Sequence, residues 1–242
     1  SMVDGNVDNT KLKTKMKLET LVIMSKYPEA GYSKTRLGES IGFENSADIA
    51  KAFLDDLILT YQDKYNIVVG GPAEDTEKFL ENYPTLTYVG SKGSVHVQMR
   101  NAIKYAFSQN LNSNKVLAIN ADLPTLKQKN ISDIFESLND YGFVIQNTNR
   151  NKFGLIGMNK EYSKKYTWGL PFDTSEDWPK IIDMGISFLK RTLVKQKPYT
   201  KWIRDPLRDL DTLKDMKELY PDISKSDFPA TFNLVKKYVS DN

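Results

Sequence analysis

Lys26, Lys34 and Arg36 share a short stretch with one proline, Pro28, and one glycine, Gly31, directly after the apolar run Leu21-Val22-Ile23-Met24. Such a run bounded by Pro and Gly reads as a buried strand ending in a loop. Gly31 lets the backbone approach a ligand closely, and Lys34 and Arg36 supply cations for phosphate oxygens. A strand feeding a basic, Gly-containing loop is a common way for α/β proteins to hold a nucleotide. The same residues also fit a solvated basic turn, because short motifs match by chance. The string is not a Walker A loop, since Ser33 rather than glycine precedes Lys34.

A carboxylate stands in the matching place after a second apolar run, Val116-Leu117-Ala118-Ile119, in the sequence Asp122-Leu123-Pro124. Ligands of open α/β sheets bind outside the carboxyl ends of the strands. If the two strands are neighbours, Asp122 shares a crevice with Lys34 and Arg36. A divalent ion bound with a nucleotide needs one or two protein carboxylates beside the phosphates, and Asp122 fits that use. It equally fits the opening of a Pro-containing turn. A third acidic group lies in Asp209-Leu210-Asp211-Thr212-Leu213-Lys214-Asp215. There Asp211 or Thr212 reads as the cap of a following helix, and Asp209 as a second metal carboxylate.

The elements that must position these residues alternate. Candidate strands are Leu21–Met24, Ile67–Val69, Leu86–Val89, Val116–Ile119, Phe143–Ile145, Phe153–Met158 and Ile186–Leu189. Between them the apolar period is helical: Ile49, Phe53, Leu54, Leu57, Ile58 and Tyr61 after Ser46 as N-cap, then Val97, Ala102, Tyr105 and Ala106 after Ser94. Ile131, Ile134, Phe135 and Leu138 follow Asn130 as N-cap, and further helices follow Thr212 and span Pro229 to Val239. Alternation of this kind predicts a mostly parallel sheet with helices on both faces. The expected partition is a flexible N-terminal segment over residues 1–17, a nucleotide-binding domain over 18–220 and a helical appendage over 221–242.

The first segment, with the loop that follows it, resembles a known family. Lys26, Pro28, Gly31, Lys34, Thr35, Arg36 and Leu37 match all seven fixed positions of the K-x-P-x-x-G-x-x-K-T-R-L pattern. That pattern opens the rSAM/selenodomain-associated transferases, which have the GT-A-like nucleotide-diphospho-sugar transferase fold; a K-T-R-L core also opens the related phospholactate guanylyltransferases. Asp122-Leu123-Pro124 with Leu126, and the stretch Asp209 to Met216, resemble later motifs of the same superfamily. The resemblance implies a three-layer α/β fold and transfer of a group from a nucleoside triphosphate or nucleotide sugar to a small-molecule acceptor, with Mg2+ or Mn2+. It implies catalytic roles for Lys34, Arg36 and Asp122. It implies nucleotide contacts from Lys26, Pro28, Gly31, Lys34, Thr35, Arg36 and Gly93, and metal ligation by Asp122 and Asp209. Nucleotidyl and glycosyl transfer both fit, and so does a degenerate module that binds a nucleotide without turnover.

Two stretches depart from the family. Arg150-Asn151-Lys152-Phe153 stands where Asp-Gly-Gly-Tyr is usual, which reverses the local charge. Gly93 to Met99 keeps the terminal Gly and Met but places the lone histidine, His96, at a usual glycine. One histidine cannot build a multi-histidine metal site. The segment Tyr166 to Ser175 resembles an acceptor-side stretch, with Phe172 for the usual Trp.

Composition bounds the remaining classes. With 40% hydrophobic and 27% charged residues a folded globule is expected. A net charge of +3 is too small to argue for nucleic acid. The absence of cysteine removes disulfides, thiolate metal sites and cysteine nucleophiles from these 242 residues. No 18-residue apolar run suggests a membrane helix, and no apolar leader precedes the first strand, so a cytoplasmic location is the expectation.

Overall fold

The computed structural model describes residues 17–150, 152–165 and 200–240. Four parallel strands form one side of a sheet: β1 (Glu19–Met24), β2 (Asn66–Pro72), β3 (Thr87–Ser91) and β4 (Lys115–Asn120). The other side holds β5 (Phe143–Thr148), β6 (Phe153–Asn159) and β7 (Thr200–Leu207). The order across the seven strands is β3-β2-β1-β4-β6-β5-β7. β1 pairs in parallel with both β2 and β4, in the register Val22 with Val68 and with Ala118. β6 is the exception to parallel pairing, since it runs antiparallel to both β4 and β5.

Alternation along β1 explains the layers. Leu21 and Ile23 face one side, where they join Ile49, Phe53 and Leu57, whereas Val22 and Met24 face the other with Met99, Ala102 and Ala106. Successive side chains of a strand point to opposite faces, so a strand that is apolar throughout must be covered twice. The first cover comes from α1 (Thr35–Ile41), α2 (Phe43–Tyr61), α3 (Thr76–Asn82) and, later in the chain, α5 (Gln128–Ser137). α4 (Val95–Phe107) covers the second face. After β6 follow α6 (Lys160–Lys165), α7 (Leu213–Leu219) and α8 (Pro229–Val239). None of the described helices is long and apolar enough to cross a membrane.

α8 is fastened to α2 at its first turn. The buried Asp56 carboxylate accepts from the backbone amides of Ala230 at 3.1 Å and Thr231 at 2.7 Å. The amides of a helix's first turn have no partner within the helix, so a carboxylate from a neighbour satisfies them.

Three expectations about the elements change. Ser46 does not cap α2: the helix starts at Phe43, after Gly42 at φ 95°, and the Ser46 hydroxyl donates to the Phe43 carbonyl at 3.0 Å. Only Gly42 separates α1 from α2, so the helical run starts earlier than its apolar stripe. Asn130 does not precede its helix either. It sits one turn inside α5, and its side chain accepts from the Lys127 amide at 3.1 Å. β7 was not expected, because Lys201, Arg204, Asp205 and Pro206 interrupt its apolar pattern. A proline is tolerated there because an edge strand leaves one side of its backbone unpaired. The candidate strand Ile186–Leu189 and the segment Tyr166 to Ser175 lie outside the described residues.

Candidate functional site

The loop after β1 and the loop after β4 leave neighbouring parallel strands at the same sheet edge, and the Ala121 amide donates to the Met24 carbonyl at 3.2 Å. This adjacency brings Lys34 to Asp122. The Lys34 ammonium donates to Asp122 Oδ2 at 2.5 Å and to Asp211 Oδ1 at 2.6 Å. Its backbone lies in the left-handed region, at φ 52° and ψ 46°, just before α1. A non-glycine residue there costs on the order of 1 kcal/mol or more, and such strain concentrates at functional sites. Gly31 supplies the other left-handed turn of the loop, at φ 77°.

The third strand of chain to reach the site follows β7. The Leu210 amide donates to the Asp122 carbonyl at 3.0 Å, which clamps this segment against the end of β4. Asp209 and Asp211 are two apart in the segment that joins β7 to α7. Thr212 caps that helix: its hydroxyl accepts from the Asp215 amide at 3.1 Å, and the Asp215 carboxylate accepts from the amides of Asp211 and Thr212 at 2.9 Å. The result is a triad, Asp122, Asp209 and Asp211, with one carboxylate oxygen from each lying within 4.8 Å of the others.

Two cations hold this triad together. Lys34 joins Asp122 to Asp211, as described. Arg150, at the end of β5, joins the rest. Its guanidinium pairs with Asp209, takes Asp215 through two bonds of 2.7 and 2.9 Å, and lies 3.7 Å from Asp211. Both bonds to Asp215 leave one nitrogen, Nη2, while Nη1 turns to Asp209, so the several donors of one planar guanidinium span two carboxylates.

Proton affinities follow from the arrangement. Burial works against the Lys34 charge, but Asp122 and Asp211 outweigh it and hold the ammonium above its ordinary range. Burial raises Asp211, and Lys34 outweighs that too, drawing its carboxyl down to about 2. Asp209 moves the other way: burial and the charges of Asp211 and Asp122 raise it, and Arg150 only partly offsets them. Three carboxylates this close can hold a cation between them. The donor set, all hard oxygens, suits Mg2+ or Mn2+.

The triad floors a cleft of about 470 Å3 whose walls include Lys26, Tyr32, Thr35, Arg36, Gln98, Asn120, Thr148 and Lys152. A second lobe, lined by Pro72, Ala73, Glu74, Ser91, Lys92 and Gly93, shares Lys26, Tyr32 and Gln98 with the first. Among the residues expected to act together, Lys26, Lys34, Thr35, Arg36, Asp122 and Asp209 all line the first lobe, and Gly93 lines the second. Pro28 and Gly31 line neither lobe and shape the loop instead. His96 lines neither lobe; its ring meets Phe153 edge-on at 6.0 Å.

Two residues have a larger part than their sequence context suggested. Asp211, read as a possible helix cap, sits at the centre of the charge cluster, and the cap is Thr212 alone. Its spacing from Asp209 held the clue, because residues i and i+2 of an extended segment face the same way. Arg150, read only as a loss, ties the whole acidic side together. Only the fold brings it within reach of residues 59 to 65 positions further on.

The comparisons with known proteins place this chain in a family and a fold. The family described as "Guanylyl transferase CofC like" matches residues 21–173, and the chain belongs to that family. The 2-phospho-L-lactate guanylyltransferase of Methanocaldococcus jannaschii is 28% identical over 191 residues, covering 77% of this chain and 76% of that protein. A protein of the same name from Methanosphaera stadtmanae is 24% identical over 156 residues, covering 63% of this chain and 66% of its own. Among solved structures, a protein assigned as a nucleotide-diphospho-sugar transferase, from Desulfovibrio desulfuricans G20, superposes with a TM-score of 0.73 at 20% identity, over 93% of this chain and 96% of that one. The fold is therefore the α/β nucleotidyltransferase type that the sequence implied.

Proposed function

We propose that this member of the guanylyl transferase CofC-like family moves a nucleoside monophosphate, in the first instance GMP from GTP, onto the phosphate of a small acidic acceptor with the help of a divalent cation. One observation carries the reading: Lys34 bridges Asp122 and Asp211 on the floor of a cleft whose rim presents Arg36 and Lys26. The relatives' named activity, transfer of a guanylyl group to 2-phospho-L-lactate, supports the choice of donor and the kind of acceptor.

In the reaction an acceptor phosphate oxygen attacks the α-phosphorus of GTP. A new P–O bond forms, the bond from the α-phosphorus to the α,β-bridging oxygen breaks, and pyrophosphate leaves with that electron pair. Arg36 and Lys26 hold the β- and γ-phosphate oxygens, where negative charge grows as the bond breaks. Lys34 acts differently from that first expectation. Its ammonium is engaged by two carboxylates, so it fixes where Asp122 and Asp211 point and contributes positive charge to the floor. Asp122, Asp209 and Asp211 would hold the divalent ion, which when bound polarises the phosphate oxygens. Lys152, exposed on the lining of the cleft, would meet the acceptor's anionic groups. Glycosyl transfer uses the same floor, but the family assignment favours the nucleotidyl reaction. A module that binds without turnover remains the alternative the experiment must exclude.

The test is pyrophosphate release from each of GTP, ATP, CTP and UTP with 2-phospho-L-lactate or another phosphorylated hydroxy acid, with and without Mg2+ or Mn2+. Release with GTP, dependent on acceptor and metal and abolished by Asp122→Asn in a folded protein, is the expected result. Tight nucleotide binding with no release for any donor would replace this reading with the binding module.

A further inference from the structure

The acidic side of the cleft carries four carboxylates, Asp122, Asp209, Asp211 and Asp215, against two cations, Lys34 and Arg150. Two negative charges are left over, the charge of one divalent ion. The pairing also uses up oxygens in an ordered way. Lys34 takes Asp122 Oδ2 and Asp211 Oδ1, and Arg150 takes Asp209 Oδ1 and both oxygens of Asp215. Each member of the triad keeps one oxygen that neither cation hydrogen-bonds, and that of Asp211, Oδ2, lies 3.7 Å from the Arg150 guanidinium. We propose that Arg150 is a built-in cation occupying the place of a second divalent ion, so that this chain holds one divalent ion, on the free oxygens of Asp122, Asp209 and Asp211. This rests on the metal-assisted reading above.

The location of Arg150 supports the assignment. It follows the end of β5, whereas Lys34 precedes α1, so the two cations reach the triad from different loops. Its side chain is about one-quarter exposed and Asp209 is under one-tenth exposed, so water screens the pair poorly. An arginine stays charged at every working pH, so this positive charge cannot leave as a metal ion can. A second divalent ion beside Asp209 and Asp215 would have to displace it. The Asp215 carboxylate also receives the amides of Asp211 and Thr212, just before α7, so Arg150 links the triad to a helix start.

The experiment uses the whole chain and Mn2+ alone, followed by the electron paramagnetic resonance of free Mn2+ and by thermal melting. The wild type is expected to bind one Mn2+ per chain. Arg150→Gln is expected to melt lower without metal, to regain most of the loss when Mn2+ is added, and to bind Mn2+ at least roughly tenfold more tightly, since a like charge has left the neighbourhood. Arg150→Lys, which keeps the charge, is expected to stay within threefold of the wild type, and Asp122→Asn is expected to lose binding. Two ions in the wild type, no Mn2+ binding at all, or an Arg150→Gln affinity within twofold of the wild type would overturn the proposal. So would a melting deficit that Mn2+ does not reduce, because a purely structural role predicts that outcome. The wild-type stoichiometry and Arg150→Lys decide the matter even if Arg150→Gln fails to fold. A chain that turns over GTP but holds two ions loses this inference and keeps its function. A chain that holds one ion and turns over no nucleotide does the reverse.

Discussion

The floor and the rim of the cleft use the same residue types in opposite ways. On the floor, Lys34 and Arg150 are bound tightly by aspartates, two for the lysine and two for the arginine within hydrogen-bonding reach. On the rim, Arg36 and Lys152 are exposed and have no carboxylate partner among the described residues. A cation held by carboxylates organises them but has little left to offer a phosphate. A cation free at the edge can offer a ligand nearly all of its charge. The position of a basic residue along the chain does not tell these two jobs apart; Lys34 and Arg36 are only two residues apart.

The contrast predicts different losses. The largest is expected at Lys34→Met. Removing one partner of a largely buried pair leaves uncompensated charge, which costs about 3 kcal/mol. For a chain of this size that lowers the melting temperature by roughly 6–12 °C. Lys34→Gly should recover on the order of 1 kcal/mol of this loss, because glycine relieves the left-handed backbone. Thermal melting without nucleotide reads both; a Lys34→Met protein as stable as the wild type would make Lys34 a rim residue and erase the distinction. Arg36→Ala is expected to show the opposite profile. Stability stays within about 0.5 kcal/mol, as for most exposed positions, while GTP binding weakens by about 1.5–3 kcal/mol, the scale of a charge-assisted hydrogen bond. Titration calorimetry with GTP measures it, and unchanged affinity would remove Arg36 from the site.

How far these features could be read beforehand differs between the halves of the molecule. The β1 loop was legible because its chemistry is local: strand, glycine, proline and cations fall within eighteen residues, Thr20 to Leu37, and only Lys34's partner was unknown. The mostly parallel sheet was legible because a strand buried on both faces must be apolar throughout, as Leu21 to Met24 is, whereas the order of its strands was not. The acidic side was legible only in part. Asp122 follows an apolar run and Asp209 sits in a motif. But Asp211 sits beside a threonine that caps α7, and nothing in the local pattern separates the two roles. Arg150 was beyond sequence reasoning for a physical reason. Its meaning depends on carboxylates 59 to 65 residues away, brought near by the parallel pairing of β5 with β7. β7 itself has too broken a pattern to be recognised.

Thr212 tests whether the floor depends on the helix that follows it. Thr212→Val keeps the side-chain shape and removes the hydroxyl that accepts from the Asp215 amide. A lost N-cap costs about 1 kcal/mol, and melting should fall by roughly 2–4 °C. Because Asp215 receives both the Asp211 amide and Arg150, kcat should fall as well, with KM for GTP little changed. A stability loss with full kcat would show that Asp211 keeps its place without the cap.

The smallest effect is expected at Lys152→Ala, and it tests a rim residue outside the β1 loop. Lys152 is exposed, and its backbone bonds Thr148 twice, the amide donating to the Thr148 hydroxyl at 3.3 Å and the carbonyl accepting from the Thr148 amide at 2.7 Å. Its ammonium is free to meet an anionic acceptor, but water screens an exposed charge, and such a contact contributes about 0.5 kcal/mol. KM for the phosphorylated acceptor should therefore rise roughly two- to threefold, with KM for GTP and the melting temperature unchanged. The rise should shrink as salt increases, because screening removes a surface attraction first. If KM for GTP moved instead, Lys152 would belong to the donor side, and the acceptor would have to be sought on another wall. If neither constant moved, the free cations that matter would be those on the β1 loop, and the rim would be one-sided.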